Sequence, residues 1–217
     1  MINNRYLAAL HKQVFAIPSI NLAINCTSRL SISIMRKLNS IQLSTDELLL
    51  ITKAVQANKQ CRFLVFGLGN DSIFWHHLNA NGNGTILFLE DNEFWLKQVS
   101  SRIKGLNVLK VNYGTKRKDW KKLLENPDLL EMVLPNDIIT NKWDIVLVDA
   151  PAGYDDETSG RMKSIYMASK LVKKGGDVFV HDCNREVEDV YSLHFLGKAN
   201  LLSETKASIG NLRHFKM

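Results

Sequence analysis

Apolar and polar positions change their spacing near Cys61, and this change divides the chain into two kinds of pattern. Before it, apolar residues recur every three or four positions, which is typical of helices; Leu30, Ile34 and Leu38 are an example. The residues Ser-Thr-Asp-Glu at 44–47 predict a helix start with a capping box. We therefore predict a helical extension over residues 1–43, ahead of a main domain over residues 44–217.

After Cys61, short apolar runs alternate with helical spacing. The runs that predict buried strands are residues 63–69, 85–91, 107–113, 143–151 and 175–182. Helical patterns lie between them at residues 72–78, 93–103, 120–124 and 161–172. Strands that alternate with helices form a parallel sheet with helices on both faces. The prediction is an α/β protein with a Rossmann-like, doubly wound and mostly parallel sheet.

Composition narrows the class of protein. The chain has 217 residues, of which 45% are hydrophobic, so one domain with a sizeable core is expected. No apolar run approaches the roughly 20 residues of a membrane helix, and the first residues are too polar for a signal peptide. Three widely separated cysteines without a CxxC pair indicate neither a disulfide framework nor a cysteine zinc site. We expect a cytoplasmic protein with no membrane partner.

The charge balance favours anionic partners without identifying one. The chain carries 28 basic and 22 acidic residues, a net charge of +6. The densest basic run, at residues 116–118 and 121–122, predicts either a solvated helix face or an edge for an anionic substrate. Nucleic acid is not expected, because no aromatic residues or base-reading motifs accompany this charge. The expected partner is a small-molecule substrate, and the oligomeric state stays open.

Polar or glycine residues end all five predicted strands. They are Gly67-Leu68-Gly69-Asn70-Asp71, Glu90-Asp91, Asn112-Tyr113, Asp149-Ala150-Pro151 and His181-Asp182. In sheets of this kind, ligands bind outside the carboxyl ends of the strands. We therefore expect these residues to line one site.

The first two strand ends predict a nucleoside-containing cofactor. Gly67 and Gly69 allow a tight turn and close approach of the backbone to a ligand. Glu90 follows about 20 residues later, where a carboxylate can accept hydrogen bonds from both ribose hydroxyls of NAD or S-adenosylmethionine. Asp71 stands where a dinucleotide would place its pyrophosphate, and its charge suits S-adenosylmethionine better. The predicted cofactor-binding residues are Gly67, Gly69, Asn70, Asp71, Glu90, Asp91 and Asp149.

The last two strand ends predict the chemistry. Asp149 can bind a metal, orient an acceptor hydroxyl or take a proton. His181 can act as a general base, and Asp182 can orient it or hold a metal. Successive residues of a regular strand point to opposite faces, so which of these two faces the site stays open. The predicted catalytic residues are Asp149, Tyr154, His181 and Asp182, with a divalent metal as a second candidate cofactor.

Several sequence blocks together resemble a known family. They are STDELLLITKAVQANKQCRFLVFGLGNDSIFWHHLN, FLEDNEFW, VNYGT, WDIVLVDAPAGY, SGRM and VFVHDCNREVE, from about residue 44 to residue 191. These blocks resemble the glucuronoxylan 4-O-methyltransferase family, part of the polysaccharide-biosynthesis domain group. The resemblance implies the fold of class I S-adenosylmethionine-dependent methyltransferases, with the cofactor held by Gly67, Gly69 and Glu90. It also implies that the loop after Asp149 faces the acceptor.

Three motifs differ from the usual form of that family. Asn70 stands where the plant enzymes have the histidine of GLGHDS, and Ala152 stands where they have the arginine of DAPRGY. Cys183 and Asn184 precede Arg185 where the plant enzymes read HDVDR. The replaced arginine would be a natural partner for a uronic-acid carboxylate. The resemblance therefore implies the cofactor more firmly than it implies a xylan acceptor.

The sequence leaves three functions open. The first is methyl transfer to a hydroxyl of a small or sugar-like acceptor, in which Asp149 or His181 removes the proton. The second is cyclisation of S-adenosylmethionine to azetidine-2-carboxylate: the amino group attacks the γ-carbon and methylthioadenosine leaves. Cyclisation needs aromatic faces near the sulfonium, and the candidates are Tyr6, Phe15, Tyr113 and Tyr154. The third is a non-catalytic binding protein of the same fold. On either enzymatic function, residues 1–43 are a candidate lid.

Overall fold

A computed structural model describes residues 16–207 and 210–217. The first described helix, α1, covers residues 16–25. The other helices are α2 (Arg29–Leu38), α3 (Thr45–Ala57), α4 (Ser72–Asn81), α5 (Glu93–Ser100), α6 (Trp120–Glu125), α7 (Asn136–Thr140), α8 (Met162–Leu171) and α9 (Glu186–Leu196). The strands are β1 (Arg62–Phe66), β2 (Thr85–Glu90), β3 (Val108–Lys110), β4 (Trp143–Val148), β5 (Val172–Val180), β6 (Leu201–Lys206) and β7 (Asn211–Lys216). None of these helices is long and apolar enough to cross a membrane.

The strands form one seven-stranded sheet in the order β3-β2-β1-β4-β5-β7-β6. β1 to β5 pair in parallel, whereas β7 runs antiparallel to both β5 and β6. The α/β, mostly parallel sheet predicted from the sequence is confirmed. The chain moves outward from β1 in both directions, so the carboxyl ends of β1 and β4 flank the point where strand order reverses. Ligands bind at such a point in open α/β sheets.

The core lies on both faces of the sheet because neighbouring residues of each strand point to opposite sides. In β1, Phe63 and Val65 join one buried cluster with α1 to α5, and Leu64 and Phe66 join another with α6 to α9. All four side chains are at most 3% exposed. Fully burying one such side chain is worth about 1.5–3 kcal/mol, which explains the near-continuous apolar runs in the sequence.

The N-terminal helices pack onto the sheet. Ile20 of α1 and Ile32 and Met35 of α2 are fully buried in the cluster that contains Phe63. The predicted capping box is confirmed, because Ser44 and Glu47 bond reciprocally at the start of α3. Residues 1–15, which include Tyr6 and Phe15, lie outside the described residues. The lid function of residues 1–43 stays a prediction.

The last part of the fold was not foreseen from the sequence. Helix α9 and strands β6 and β7 follow the fifth predicted strand. β6 lies at an edge of the sheet, and most of its residues are exposed or half-buried. An exposed edge strand has little need for an apolar run, so hydrophobic patterning gives it a weak signal. β7 buries Leu212 and Phe215 on opposite faces, which completes both clusters.

Candidate active site

A cavity of about 540 Å³ opens at the carboxyl ends of β1, β2, β4 and β5. Its lining includes every residue predicted to bind the cofactor or to act in catalysis: Gly67, Gly69, Asn70, Asp71, Glu90, Asp91, Asp149, Tyr154, His181 and Asp182. The end of the third predicted strand, Asn112 and Tyr113, was expected at the same site but does not line this cavity. Residues from four separate strand ends therefore meet in one place, as the topology requires. Their individual roles stay predictions, and the contacts below limit what each can do.

The turn after β1 brings backbone to the cavity wall. Gly67 has a φ of +123°, which side-chain-bearing residues rarely adopt, and a Cβ there would lie 3.0 Å from Cβ of Ala150. A Cβ on Gly69 would lie 2.8 Å from Oδ1 of Asp71. The Gly69 N–H donates to Oγ of Ser72 at 2.9 Å, which fixes the turn against the start of α4. Gly67 is thus required by its backbone conformation, whereas a side chain at position 69 would have to displace the Asp71 carboxylate.

Glu90 is a fixed carboxylate on the wall beneath this turn. The Leu68 N–H donates to its Oε2 at 2.6 Å, and the Asn92 N–H donates to its Oε1 at 2.6 Å. The residue is only 3% exposed, and burial raises its pKa to about 7 although the two amides oppose this shift. Each carboxylate oxygen can accept more than one hydrogen bond, so capacity for ribose hydroxyls remains. The structure adds a second task, which is to hold the turn after β1.

Asp71 faces Asp149 across the cavity. Trp75, one turn further along α4, donates its indole N–H to Oδ2 of Asp71 at 2.7 Å. Burial, and then repulsion from Asp149, raise the pKa of Asp71 to about 6. A carboxylate whose proton affinity is raised by a neighbouring carboxylate favours a cationic ligand beside the pair.

Asn70 is engaged by the protein itself. Its amide Nδ2 donates to the Ser40 carbonyl at 3.2 Å, and Arg102 donates to its Oδ1 at 3.3 Å. Ser40 belongs to the segment between α2 and α3, which lines the cavity mouth together with Gln42 and Leu43. Asn70 therefore ties the N-terminal helices to the turn after β1. Its predicted contact with a cofactor is not tested by these bonds.

Arg161, at the start of α8, organises the opposite wall. Its guanidinium donates to the carbonyls of His181 at 2.6 Å and Asp149 at 2.8 Å. The same group lies 3.2 Å from Oδ1 of Asp149 and 2.7 Å from Oδ2 of Asp182. Because Arg161 is only 5% exposed, it is a buried cation that joins the ends of β4 and β5.

His181 and Asp149 form a close pair. Nδ1 of His181 lies 2.9 Å from Oδ1 of Asp149, and this bond raises the pKa of His181 although burial opposes it. Burial also disfavours the Asp149 carboxylate, but His181 and Arg161 hold the pKa of Asp149 below its usual value. The hydrogen bonds that described residues make to this carboxylate all go to Oδ1. Oδ2 therefore stays available to the cavity.

The other nitrogen of His181, Nε2, lies against Gly210. A Cβ on Gly210 would lie 2.7 Å from Nε2, so the chain before β7 covers it. Nε2 is buried and has no hydrogen-bond partner among the described residues. Since Nδ1 is taken by Asp149, neither ring nitrogen is presented to a substrate. This geometry favours Asp149 over His181 as the group that meets an acceptor.

Asp182 is held in an uncommon backbone conformation. Its φ is +63°, in the left-handed region that few residues other than glycine adopt. Its Oδ2 is bound by Arg161 at 2.7 Å and by Arg185 at 3.0 Å. Such conformations persist where surrounding contacts enforce them, and they concentrate at functional sites.

A loop over residues 152–160 closes one side of the cavity, and the basic run packs against it. Lys116 and Lys118 both pair with Glu157, at 2.8 and 2.6 Å. The Arg117 N–H donates to the carbonyl of Thr158 at 2.7 Å. This part of the run is therefore paired with an acidic loop at the surface. Tyr154 lies on the same loop, 74% exposed, at the cavity mouth.

Sequence reasoning missed several residues of the site. Arg161 and Arg185 line the cavity but follow no strand directly, so the rule of strand ends did not select them. Both lie in sequence blocks that carry the family resemblance, SGRM and VFVHDCNREVE, and these blocks are the signal that could have identified them. Trp95 of α5 also lines the cavity. Tyr113, an expected aromatic face, is 1% exposed and packs in the core instead.

Comparison with known proteins gives consistent relatives. Glucuronoxylan 4-O-methyltransferase 2 of Arabidopsis thaliana is 39% identical over 197 residues, which are 81% of this chain and 66% of that protein. Arabinogalactan O-methyltransferase 2 of the same plant is 31% identical over 201 residues, 81% of this chain and 67% of that protein. This chain thus spans about two thirds of the length of these relatives.

Solved structures agree on the fold. A Staphylococcus aureus protein, provisionally described as a caffeoyl-CoA O-methyltransferase, superposes with a TM-score of 0.56 at 14% identity. The match covers 96% of this chain and 100% of that one. A family model described as IRX15/IRX15L/GXM matches residues 46–131 and 128–215. The chain therefore belongs to the IRX15/IRX15L/GXM family.

Proposed function

We propose that this protein transfers the methyl group of S-adenosylmethionine to a hydroxyl of a sugar-like acceptor. One observation carries the proposal: a glycine turn, a carboxylate fixed by backbone amides (Glu90) and Asp149 line one cavity. Relatives named as glucuronoxylan and arabinogalactan O-methyltransferases support it. The acceptor class rests on the named relatives, because Ala152 and Asn184 differ from the family motif.

The cavity residues fit the cofactor. Glu90 is placed to accept hydrogen bonds from ribose hydroxyls, and the Gly67–Gly69 turn lets backbone approach the ligand. Asp71 and Asp149 together favour the positive charges of the methionine part. When bound, S-adenosylmethionine supplies an electrophilic methyl group on its sulfonium.

Asp149 acts on the acceptor. Its Oδ2 accepts a hydrogen bond from the acceptor hydroxyl, which orients the oxygen towards the methyl carbon. Asp149 would take the proton that the hydroxyl loses on accepting the methyl group, and the cofactor would leave as S-adenosylhomocysteine. Arg161 and His181 hold the carboxylate in place from the other side through Oδ1.

A divalent metal is the other predicted cofactor. Asp149, His181 and Asp182 offer donor atoms within 4.8 Å of one another. However, the Arg161 guanidinium already lies against both carboxylates, and Nδ1 of His181 is engaged by Asp149. A metal could bind these donors only by displacing one of these contacts. We therefore propose that Arg161, rather than a metal, supplies the positive charge beside Asp149 and Asp182. Full turnover after treatment with EDTA is expected; a loss that a divalent cation restores would reinstate the metal.

Cyclisation of S-adenosylmethionine is the alternative reaction. Of its candidate aromatic faces, Tyr154 reaches the cavity mouth, Tyr113 does not line the cavity, and Tyr6 and Phe15 are not described. The named relatives transfer methyl groups, and no cavity residue selects cyclisation over transfer. Methyl transfer is therefore the favoured reaction.

The deciding experiment identifies the nucleoside product. The pure protein is incubated with S-adenosylmethionine, with and without sugar and uronate acceptors, and products are separated by chromatography and mass spectrometry. Acceptor-dependent S-adenosylhomocysteine is the expected result. Methylthioadenosine without acceptor would replace the proposal with cyclisation. Absence of binding by calorimetry would favour the non-catalytic protein of the same fold.

A further inference from the structure

A buried carboxylate outside the cavity faces the far side of His181. Glu47, in the first turn of α3, is 0% exposed. Its Oε2 accepts the Ser44 N–H at 2.6 Å as part of the capping box. Its Oε1 lies 3.7 Å from Nε2 of His181, and neither atom has a hydrogen-bond partner among the described residues. A buried polar atom without a hydrogen-bond partner is costly, so this contact needs an explanation.

The two carboxylates determine the form of the imidazole between them. Asp149 faces Nδ1, and Glu47 faces Nε2. A neutral imidazole has one donor and one acceptor nitrogen, and an ionised carboxylate can only accept. A neutral ring would therefore set a lone pair against one carboxylate. A ring with protons on both nitrogens donates a hydrogen bond to Asp149 and presents a positively charged N–H to Glu47, 3.7 Å away.

We propose that Glu47 is a positioning residue: with Asp149 it holds His181 as an oriented imidazolium, and this imidazolium fixes the catalytic carboxylate. The inference rests on the proposed function, because it assigns Asp149 the contact with the acceptor. It also connects the N-terminal helices to the chemistry, because Glu47 belongs to α3. α3 supplies a charge that reaches the active site through His181 without entering the cavity.

The other charged groups around the His181 ring do not replace Glu47 as the partner of Nε2. Asp182, after β5, places Oδ1 3.7 Å from Nδ1, on the side that Asp149 already occupies. Asp71 acts on His181 from the turn after β1, and Arg161 opposes a charged ring from α8. Of these groups, Glu47 is the one whose oxygen faces Nε2.

The first test uses the unaltered protein at rest. Histidine labelled with ¹⁵N is observed by NMR at about pH 8, where an ordinary histidine is neutral. His181→Asn assigns the signal. Both nitrogens of His181 are expected to carry protons, and a neutral tautomer would overturn the proposal. This measurement needs no turnover, so its outcome is separate from that of the methyl-transfer assay.

The second test separates charge from helix capping. Glu47→Gln removes the charge but keeps an oxygen for the Ser44 N–H, since glutamine also completes a capping box. Ser44→Ala breaks the same capping box and leaves the Glu47 charge in place. Glu47→Gln is expected to lower kcat about 10- to 100-fold, because a small misplacement of a catalytic group, even by a distant substitution, can cost up to about 10²-fold. It leaves KM for S-adenosylmethionine unchanged and removes one ring proton in the NMR spectrum.

Ser44→Ala is expected to lower the melting temperature and keep kcat and both ring protons. Two results would overturn the proposal. One is a Glu47→Gln protein with wild-type kcat and an intact imidazolium. The other is an equal loss of kcat in both variants, which would show that Glu47 acts only by capping α3.

Discussion

The two sides of the cavity are held together by different interactions. On the β1/β2 side, which comprises residues 67–71 and Glu90, a side chain binds backbone amides that lie 2 and 22 residues away along the chain. On the β4/β5 side, which comprises Asp149, Arg161, His181 and Asp182, charged side chains bind one another and the carbonyls of their neighbours. The first side depends on backbone geometry, and the second depends on balanced charge.

The two sides of the cavity should therefore be sensitive to different kinds of substitution. A substitution that changes charge should act mainly on the β4/β5 side, where buried ions compensate each other. On the β1/β2 side, the larger effect should come from a substitution that removes a hydrogen-bond acceptor of the backbone amides. Substitutions on each side test this division.

Asp149→Asn is expected to lower kcat about 10²- to 10⁴-fold, the usual contribution of a general acid–base group. The amide keeps the shape of the side chain but cannot take the hydroxyl proton. Affinity for S-adenosylhomocysteine, measured by calorimetry, should change far less than kcat. Glu93→Gln is the control, because Glu93 is an exposed residue that pairs with Lys110. A variant at position 149 with wild-type kcat would move the proton transfer to another group.

Arg161→Met is expected to reduce the free energy of unfolding by about 3–5 kcal/mol, since it leaves two carboxylates without their buried partner. Urea denaturation measures this change. Arg29→Met is the matched control, because Arg29 pairs with Asp46 at the surface, and such positions usually cost about 0.5 kcal/mol or less. Equal stability of the two variants would mean that the charge of Arg161 does not stabilise the carboxylates of Asp149 and Asp182.

Glu90→Gln is expected to weaken cofactor binding by about 1.5–3 kcal/mol, the range for hydrogen bonds to charged groups. The glutamine amide also opposes one of the two N–H groups that Glu90 now accepts. Calorimetry with S-adenosylhomocysteine tests this loss. Unchanged affinity in the folded variant would leave Glu90 only its structural role.

The same residue predicts a pH dependence with a definite sign. Burial raises the pKa of Glu90 from 4.5 to about 7, so the folded state binds this proton more tightly than the unfolded state. The contribution of Glu90 to the free energy of unfolding should therefore fall as pH rises from 4.5 to about 7. Cofactor affinity should rise through the same range, because the ionised carboxylate is the better acceptor. Glu90→Gln should show neither trend, and a wild-type affinity that is flat across this range would contradict the assignment.

The sequence predicted the β1/β2 side more completely than the β4/β5 side. Gly67 and Glu90 follow predicted strands directly, and strand ends are visible in hydrophobic patterning. Asp149 and His181 were found by the same rule. Arg161 and Glu47 were not, because each begins a helix, and only the folded chain brings them to these strand ends. Patterning also cannot show that Gly210 lies against Nε2 of His181, which is the contact from which we propose Asp149 rather than His181 as the base.

The fold shows the same limit. β1 to β5 are buried strands with apolar runs, and their order along the chain made a parallel sheet predictable. β6 is an exposed edge strand, and α9 presents no strong periodic signal, so the end of the chain was not foreseen. Local patterns therefore predict buried elements, whereas contacts between distant charged residues appear only in three dimensions.

Asn70→Ala is expected to have the smallest effect of these substitutions. It tests whether Asn70 binds the cofactor or only connects neighbouring segments of the protein. Its amide joins the Ser40 carbonyl to Arg102, and both partners are near water, so the loss should be about 0.5–1.5 kcal/mol of unfolding free energy. If Asn70 is only this tie, affinity for S-adenosylhomocysteine should stay close to wild type while urea denaturation shifts. If affinity falls as far as in Glu90→Gln, Asn70 binds the cofactor, as the sequence predicted. Asn70→His, which restores the residue of the plant motif, is the companion variant: it should recover stability if a polar side chain is all that the tie requires.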